Sequence, residues 1–266
     1  MAFSPMFKLP FVVGGAGLGV IPAADMKPMF APAPEVDAQA HWDLGGSAAS
    51  LVDILSGRQL TLAGAAPTYD ALGVKFANGG RNGLISDIND KASNFTYAAV
   101  IQLDPSATPG GSESGSMFFG TMQASGSSDG NGGGTYASIG STALSVQNNE
   151  RNAGASQQFS AVMTGVVAGT SWAFVLMSMA ADGTRFIYQP YAGTPFATAS
   201  AITKTASTRK VSLGNGYYNS AGWQSGIKAS EFIVWDRALT QAEAQAVFGR
   251  TKERMAYKKG IALLGG

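Results

Sequence analysis

The chain has 266 residues, a net charge of +1, 13% charged residues, 35 glycines and no cysteine. These values exclude a disulfide framework, a thiolate metal site and a cysteine nucleophile, and they leave no Lys/Arg stripe with which to neutralise a run of nucleic-acid phosphates. The length suits one large unit with a substantial core, and the glycine content predicts many turns.

The first segment, MAFSPMFKLPFVVGGAGLGVIPAAD, is apolar with one lysine and an Ala-Ala before Asp25, an outline shared with secretory signals. Pro10, Pro22 and four glycines interrupt the run, which is also shorter than the roughly 20 apolar residues needed to span a bilayer, so no membrane span is expected. The expectation is a retained, non-helical arm. Its large apolar side chains, Phe3, Met6, Phe7, Phe11, Met29 and Phe30, need a surface to dock on and are read as partner-anchoring residues, docking on the same subunit being the alternative. Prolines 28, 32 and 34 favour an extended linker, so residues 1–40 form arm plus linker.

From residue 41 the pattern becomes short runs. SAASLVDI has helical character and QLTLAG reads as a strand. TYDALGVKFANGGRNGLIS holds two runs separated by NGGRNG, a hairpin signal because Asn and Gly tolerate positive φ. In NFTYAAVIQLD, Phe95, Tyr97, Ala99 and Ile101 alternate with Thr96, Ala98, Val100 and Gln102, which predicts a strand with one apolar and one mixed face. PSATPGGSESG is a loop by composition and SMFFGTMQ a strand. SSDGNGGG reads as a flexible surface loop; it lacks the Lys-Ser/Thr and helix of a phosphate cradle. TYASIG, ALSVQNN, QFSAVMTGVV, SWAFVLMSMA, TRFIYQPYAG and RKVSLGNGYY continue as short strands at the spacing of a sandwich or barrel.

SGIKASEFIVWDRALTQAEAQAVFGR predicts a strand through Trp235, a turn at Asp236-Arg237 and a helix. Thr240 is placed as N-cap with Glu243 three residues later, a capping box. Leu239, Ala242, Ala246 and Val247 offer a short apolar stripe and Gly249 a stop. Such a helix is expected to pack on one edge or end of a β sandwich.

Several of these segments, in order, resemble the concanavalin A-like lectin/glucanase superfamily, particularly its laminin G-like branch. EFIVWDRALTQAEAQAVF is similar to its closing strand and helix, YDALGVKFANGGRNGL to an early strand pair, NFTYAAVIQL to a core strand and SWAFVLMSMAADGTRFIYQPYAG to a hairpin turned at Asp182-Gly183. RKVSLGNG stands where the family has a short apolar run ending in Gly. The resemblance covers about residues 42 to 250. It implies an all-β jelly-roll sandwich over 41–250 with one short C-terminal helix, preceded by the extended arm and followed by a tail, 251–266.

Glucanases of that superfamily carry paired carboxylates in one strand motif. Here Glu113, Glu150, Glu231, Glu243 and Glu253 are scattered, and no catalytic residue is assigned. His41, the single histidine, lies far from any G-x-S-x-G elbow and is read as a packing or surface residue. Laminin G-like and lectin relatives can hold calcium through Asp side chains and carbonyls. Asp104, Asp129 and Asn131 are the nearest match, but Asp129-Gly130-Asn131 reads as a plain turn, and no cofactor is expected. GNGYYNSAGWQSG concentrates Tyr217, Tyr218, Asn219, Trp223 and Gln224, the residue types that hold sugars by stacking and hydrogen bonding. The alternative is that Trp223 and one tyrosine cap the sandwich end.

Arm, absence of cysteine and lectin-like domain together resemble bacteriophage virion appendage proteins: tail-fibre, receptor-binding or capsid-decorating. The expectation is a non-enzymatic structural protein, assembled in the host cytoplasm and homo-oligomeric. The arm would bind other virion proteins, and the sandwich would face cell-surface glycans. A purely architectural virion role and a secreted glycan-processing enzyme are the alternatives.

Overall fold

A computed structural model describes residues 33–123 and 130–265. The anchoring candidates Phe3, Met6, Phe7, Phe11, Met29 and Phe30, and the calcium candidate Asp129, lie outside the described residues. Strand β1 (Ala40–Asp43) comes first, then a 3₁₀ turn (Ala48–Leu51), β2 (Thr61–Ala63), β3 (Thr68–Asp70), β4 (Gly73–Lys75) and β5 (Gly83–Asn89). β6 (Phe95–Leu103), β7 (Gly115–Gly120), β8 (Gly132–Ile139), β9 (Leu144–Asn152) and β10 (Ala155–Val162) follow. The last strands are β11 (Ala173–Met179), β12 (Arg185–Tyr188), β13 (Phe196–Ala199), β14 (Lys210–Gly214) and β15 (Ile227–Trp235), before helix α1 (Gln241–Lys259).

The strands form two antiparallel sheets. One has eight strands in the order β13-β12-β11-β6-β15-β4-β3, with β1 also paired to β15; the other has seven, β10-β9-β8-β7-β14-β5-β2. Their facing sides enclose the main core, which includes Trp42, Phe95, Tyr97, Phe119, Val175, Leu213 and Phe232. Trp42 stacks on Phe232 at 5.5 Å and Phe232 on Phe119 at 6.2 Å, so one aromatic row ties the sheets together. This is an all-β jelly-roll sandwich with a single C-terminal helix.

Strand β6 is more buried than its alternation predicts. Phe95, Tyr97, Ala99 and Ile101 face the other sheet, while Ala98 and Val100 face a second core on the outside of the eight-stranded sheet. That core is closed by α1 through Ala244, Val247, Phe248 and Met255. The helix therefore covers a sheet face instead of an edge or end, and its buried stripe excludes Ala242 and Ala246, which are exposed. Thr240 and Glu243 do form the capping box. Gly249 does not stop the helix: it lies inside it, and Gly260 is the terminator, with φ +65°. Residues 251–259, expected as tail, are helical.

Two glycine-rich segments also depart from expectation. NGGRNG is no hairpin turn, because β4 pairs with β15 in one sheet and β5 with β14 in the other. The segment is a corner between sheets, with φ +123° at Gly79 and +61° at Arg81. The tail of SSDGNGGG is no surface loop, since Gly132, Gly133 and Gly134 are buried in β8. A Cβ on Gly133 would sit 1.7 Å from Glu150 Oε2, and one on Gly134 2.9 Å from Met117 Cε. These glycines leave room for neighbouring side chains; flexibility is not their role. The Asp182-Gly183 turn between β11 and β12 matches its prediction, with Gly183 at φ +86°.

Candidate functional site

The loop between β14 and β15 carries the five candidate glycan-binding residues. It is organised by Asn215, whose Oδ1 accepts from the Tyr218 N–H at 2.9 Å and whose Nδ2 donates to the Trp223 carbonyl at 3.0 Å. Tyr218 and Trp223 are thereby brought together, with ring centroids 4.7 Å apart. They lie over Met117, Met122 and Tyr136, a cluster separate from both cores, and Trp223 meets Tyr136 edge-on at 4.6 Å. Gly115 makes this approach possible, since a Cβ there would meet the indole at 2.6 Å. Tyr218 and Trp223 are half-buried, so they cap the strands beneath while keeping part of each ring in solvent. Asn219 and Gln224 are exposed beside them. Tyr217 is not in this group: its hydroxyl donates to the Lys210 carbonyl at 2.9 Å.

From Tyr136 the patch continues across the outward face of the seven-stranded sheet, a surface that sequence reasoning missed. The Tyr136 hydroxyl donates to Gln147 Oε1 at 2.8 Å, directly across the β8–β9 ladder. Burial, with Tyr218 beside it, pushes the Tyr136 hydroxyl up to about 12, so it is a neutral donor at ordinary pH. Asn149 and Arg151 follow on the same face of β9, paired across to Gln158 and Ser156 of β10. Both are buried, yet among the described residues Asn149 Oδ1 and Arg151 Nε have no hydrogen-bond partner. A buried acceptor and a buried donor left unpaired side by side are unfavourable, and a polar ligand at this face would satisfy both. Arg151 is held in place by its Nη1, which donates to the Gln123 carbonyl at 2.8 Å. The signal was present in ASQQFSAV, where exposed Ser156, Gln158 and Ser160 alternate with half-buried Gln157, Phe159 and Ala161, and in the amide-rich QNNERN run of β9.

The scattered glutamates take distinct places. Glu113 is half-buried and accepts from the Gln224 N–H at 2.8 Å, Glu243 caps α1 and Glu253 is exposed on it. Glu231 is buried in central β15 and bonds His41 Nε2 and Arg254 Nε, each at 2.8 Å. Burial pushes the Glu231 carboxyl up, but the bonds from His41 and Arg254 and the Arg254 charge outweigh it and hold it below the usual carboxylate range. His41 is wholly buried and so is a packing residue with a polar duty. Its Nδ1 accepts from the Glu35 N–H at 3.0 Å, which leaves the Nε2 proton to bond Glu231. Arg254 also reaches Glu35 at 2.7 Å, so the network clamps residues 35–41 to β15 and α1. Glu150 is buried beside Lys204 and Asp90. Burial works against the Lys204 ammonium, but Glu150 and Asp90 outweigh it and hold it above the usual lysine range.

Asp104 is engaged elsewhere, on Ser106, Asn78 and Lys75, the last at 3.1 Å. Burial raises its carboxyl, but those partners prevail and lower it. Asn131 Oδ1 accepts from the Ala153 N–H at 3.2 Å. Asp104 and Asn131 are thus turn and loop fasteners, and among the described residues no three His, Asp or Glu side chains converge as a metal site. Three cavities of about 310–370 Å³ indent the surface, and none is lined by two carboxylates. No described helix is long and apolar enough to cross a membrane.

Fold and surface define a jelly-roll sandwich with a polar, aromatic-edged outer face. No family model matches the sequence, and no curated protein matches it either. Solved structures do match. The binding domain of botulinum neurotoxin serotype D is 10% identical with a TM-score of 0.59, covering 81% of this chain and 52% of that one. A neurotoxin type C structure, from work on cell entry dependent upon interaction with two ganglioside molecules, is 12% identical with a TM-score of 0.56 over 79% and 51%. The neurotoxin DC binding domain, in complex with rat synaptotagmin II, is 11% identical with a TM-score of 0.57 over 80% and 51%. The chain spans about half the length of these chains, and the likeness is one of fold.

Proposed function

We propose that the chain is a non-enzymatic binding module that recognises a glycan on the outer face of its seven-stranded sheet. The observation that carries this reading is the continuity of half-exposed Tyr218 and Trp223 with the unpartnered Asn149 Oδ1 and Arg151 Nε, through Tyr136. Aromatic rings stack on the apolar face of a sugar, while paired donors and acceptors read its hydroxyls. The fold likeness to domains described as binding and receptor-binding domains supports the same reading. In its fuller form the proposal retains the virion appendage: the arm with Phe3, Met6, Phe7, Phe11, Met29 and Phe30 anchors the domain to other virion proteins, in several copies, and the sandwich faces the host surface. Tyr217 drops out of the glycan set, and Asn219 and Gln224 stay at its rim.

A glycan array tests the binding claim. The wild-type protein is expected to retain a defined saccharide class, and Trp223→Ala to lose it; no retention by the folded wild-type protein leaves the purely architectural role. Deleting residues 1–32, which leaves the buried Glu35 clamp in place, tests the appendage claim separately, since the truncated protein should no longer enter particles while still binding the saccharide. Retained hydrolysis of an array hit would instead favour the glycan-processing enzyme.

A further inference from the structure

Between the sheets, at the end of β5, a lysine and two carboxylates are sealed from solvent. Lys204 Nζ lies 2.7 Å from Asp90 Oδ1 and 3.2 Å from Glu150 Oε2, and all three side chains are at most 3% exposed. Asp90 Oδ2 accepts the Ser207 N–H at 2.8 Å. Glu150 Oε1 accepts from Asn148 Nδ2 at 2.8 Å, whereas Glu150 Oε2 is ion-paired to Lys204 and has no other hydrogen bond among the described residues. Phe95 lies under the ammonium at 4.4 Å, and Tyr97 stacks on Phe95 at 4.8 Å. The binding face described above lies on the other side of this sheet and uses none of these groups.

Two features are not explained by an ordinary ion pair. Lys204 stands between two carboxylates, with the buried Arg185 as a second cation acting on Glu150, and Glu150 turns Oε2 to the ammonium with no hydrogen bond to another described residue there. We propose that Lys204 and Asp90 condense to an intramolecular amide, with Glu150 transferring the protons. Glu150 Oε2 takes a proton from the Lys204 ammonium, and the freed amine attacks the Asp90 carboxyl carbon. The Ser207 N–H on Oδ2 stabilises the negative charge that develops on that oxygen as the carbon becomes tetrahedral. Glu150 returns its proton to Oδ1, the C–O bond breaks, and with the second amine proton the oxygen leaves as water. One ammonium and one carboxylate thus become one amide and one water, with no oxidant or co-reactant. The two carboxylates hold Lys204 as the ammonium, so the step needs the proton transfer to Glu150, while fixed proximity in a site sealed from solvent replaces an encounter between reactants. Exclusion of water then protects the amide.

The bond would join positions 114 residues apart, at the end of β5 and in the approach to its neighbour β14. It acts on the unfolded chain as any long-loop cross-link does.

Intact mass and tryptic mapping of the purified full-length protein decide the matter. The expected result is a mass one water below that of the sequence and a branched peptide joining residues 82–91 to residues 186–209, with no cleavage after Lys204. Glu150→Gln, which keeps the shape of the side chain, should fold and show the unlinked mass with cleavage after Lys204 restored. Unlinked peptides 82–91 and 186–204 from the folded wild-type protein overturn the proposal. A branched peptide that forms equally in the Gln variant overturns the role given to Glu150.

Discussion

Gly249 and Gly260 offer a paired test of the helix that closes the second core. Gly249 lies within α1, is exposed, and has nothing within 4 Å of where a Cβ would stand. Replacing it by alanine removes the backbone entropy penalty of a mid-helix glycine, so Gly249→Ala should raise stability by about 0.8–1 kcal/mol. Gly260 ends the helix at φ +65°, where its N–H donates to the Ala256 and Met255 carbonyls. Space is also open around it, so the penalty of Gly260→Ala is the left-handed backbone alone, a loss of about 1–2 kcal/mol. The two variants thus make the same chemical change with opposite signs. Urea titration followed by far-UV circular dichroism and tryptophan fluorescence reads both, as shifts in midpoint at constant slope. If Gly249→Ala destabilises the protein while Gly260→Ala does not, the helix stops at Gly249 and the account of the second core fails.

Other predictions follow from the buried pairs and the helix. Arg254→Ala should lower stability by about 3–5 kcal/mol, because it strands the buried Glu231 and Glu35 carboxylates. Arg237→Ala, whose partners Asp37 and Glu243 are half-exposed, should shift the urea midpoint by less than about 1 kcal/mol. Phe248→Ala should cost about 3–5 kcal/mol by opening a gap against Phe174 and Tyr188, measured in the same titration. Acid should destabilise the domain. The carboxyls of Glu231, Asp43, Asp53 and Asp104 are held low in the folded state, so their stabilisation is full above the unfolded values near about 4 and declines as pH falls from there, gone once pH passes below the folded values. Thermal midpoints measured from pH 6 downward should therefore fall; a flat profile would contradict the buried pairs.

Much of the fold was readable because alternation, turn dipeptides and the capping box are local signals. Phe95 to Ile101, Asp182-Gly183 and Thr240 with Glu243 each carry their own evidence along the chain. The failures have a common cause in long-range packing. Gly249 looks like a stop until Phe248, Thr251 and Met255 are seen buried on one helix face. Gly132 to Gly134 look flexible until Glu150 and Met117 are seen in the space a Cβ would take. β1 and β13 are too short to show a period and exist through pairing with β15 and β12. At the candidate site, Tyr218 and Trp223 stood out as a cluster of aromatic residues in one loop. Asn149 and Arg151 did not, because only the β8–β9–β10 register turns polar strand residues into a continuous face.

Recognition at that face is tested most directly by hydrogen exchange of the full-length protein with and without the saccharide retained on the array, alongside the binding of Asn149→Ala and Gln158→Ala. Slowed exchange confined to residues 132–160 and 215–226, with weakened binding and unchanged urea midpoints in both variants, is the predicted result. Protection elsewhere on the sandwich, or full affinity in both variants, would contradict it.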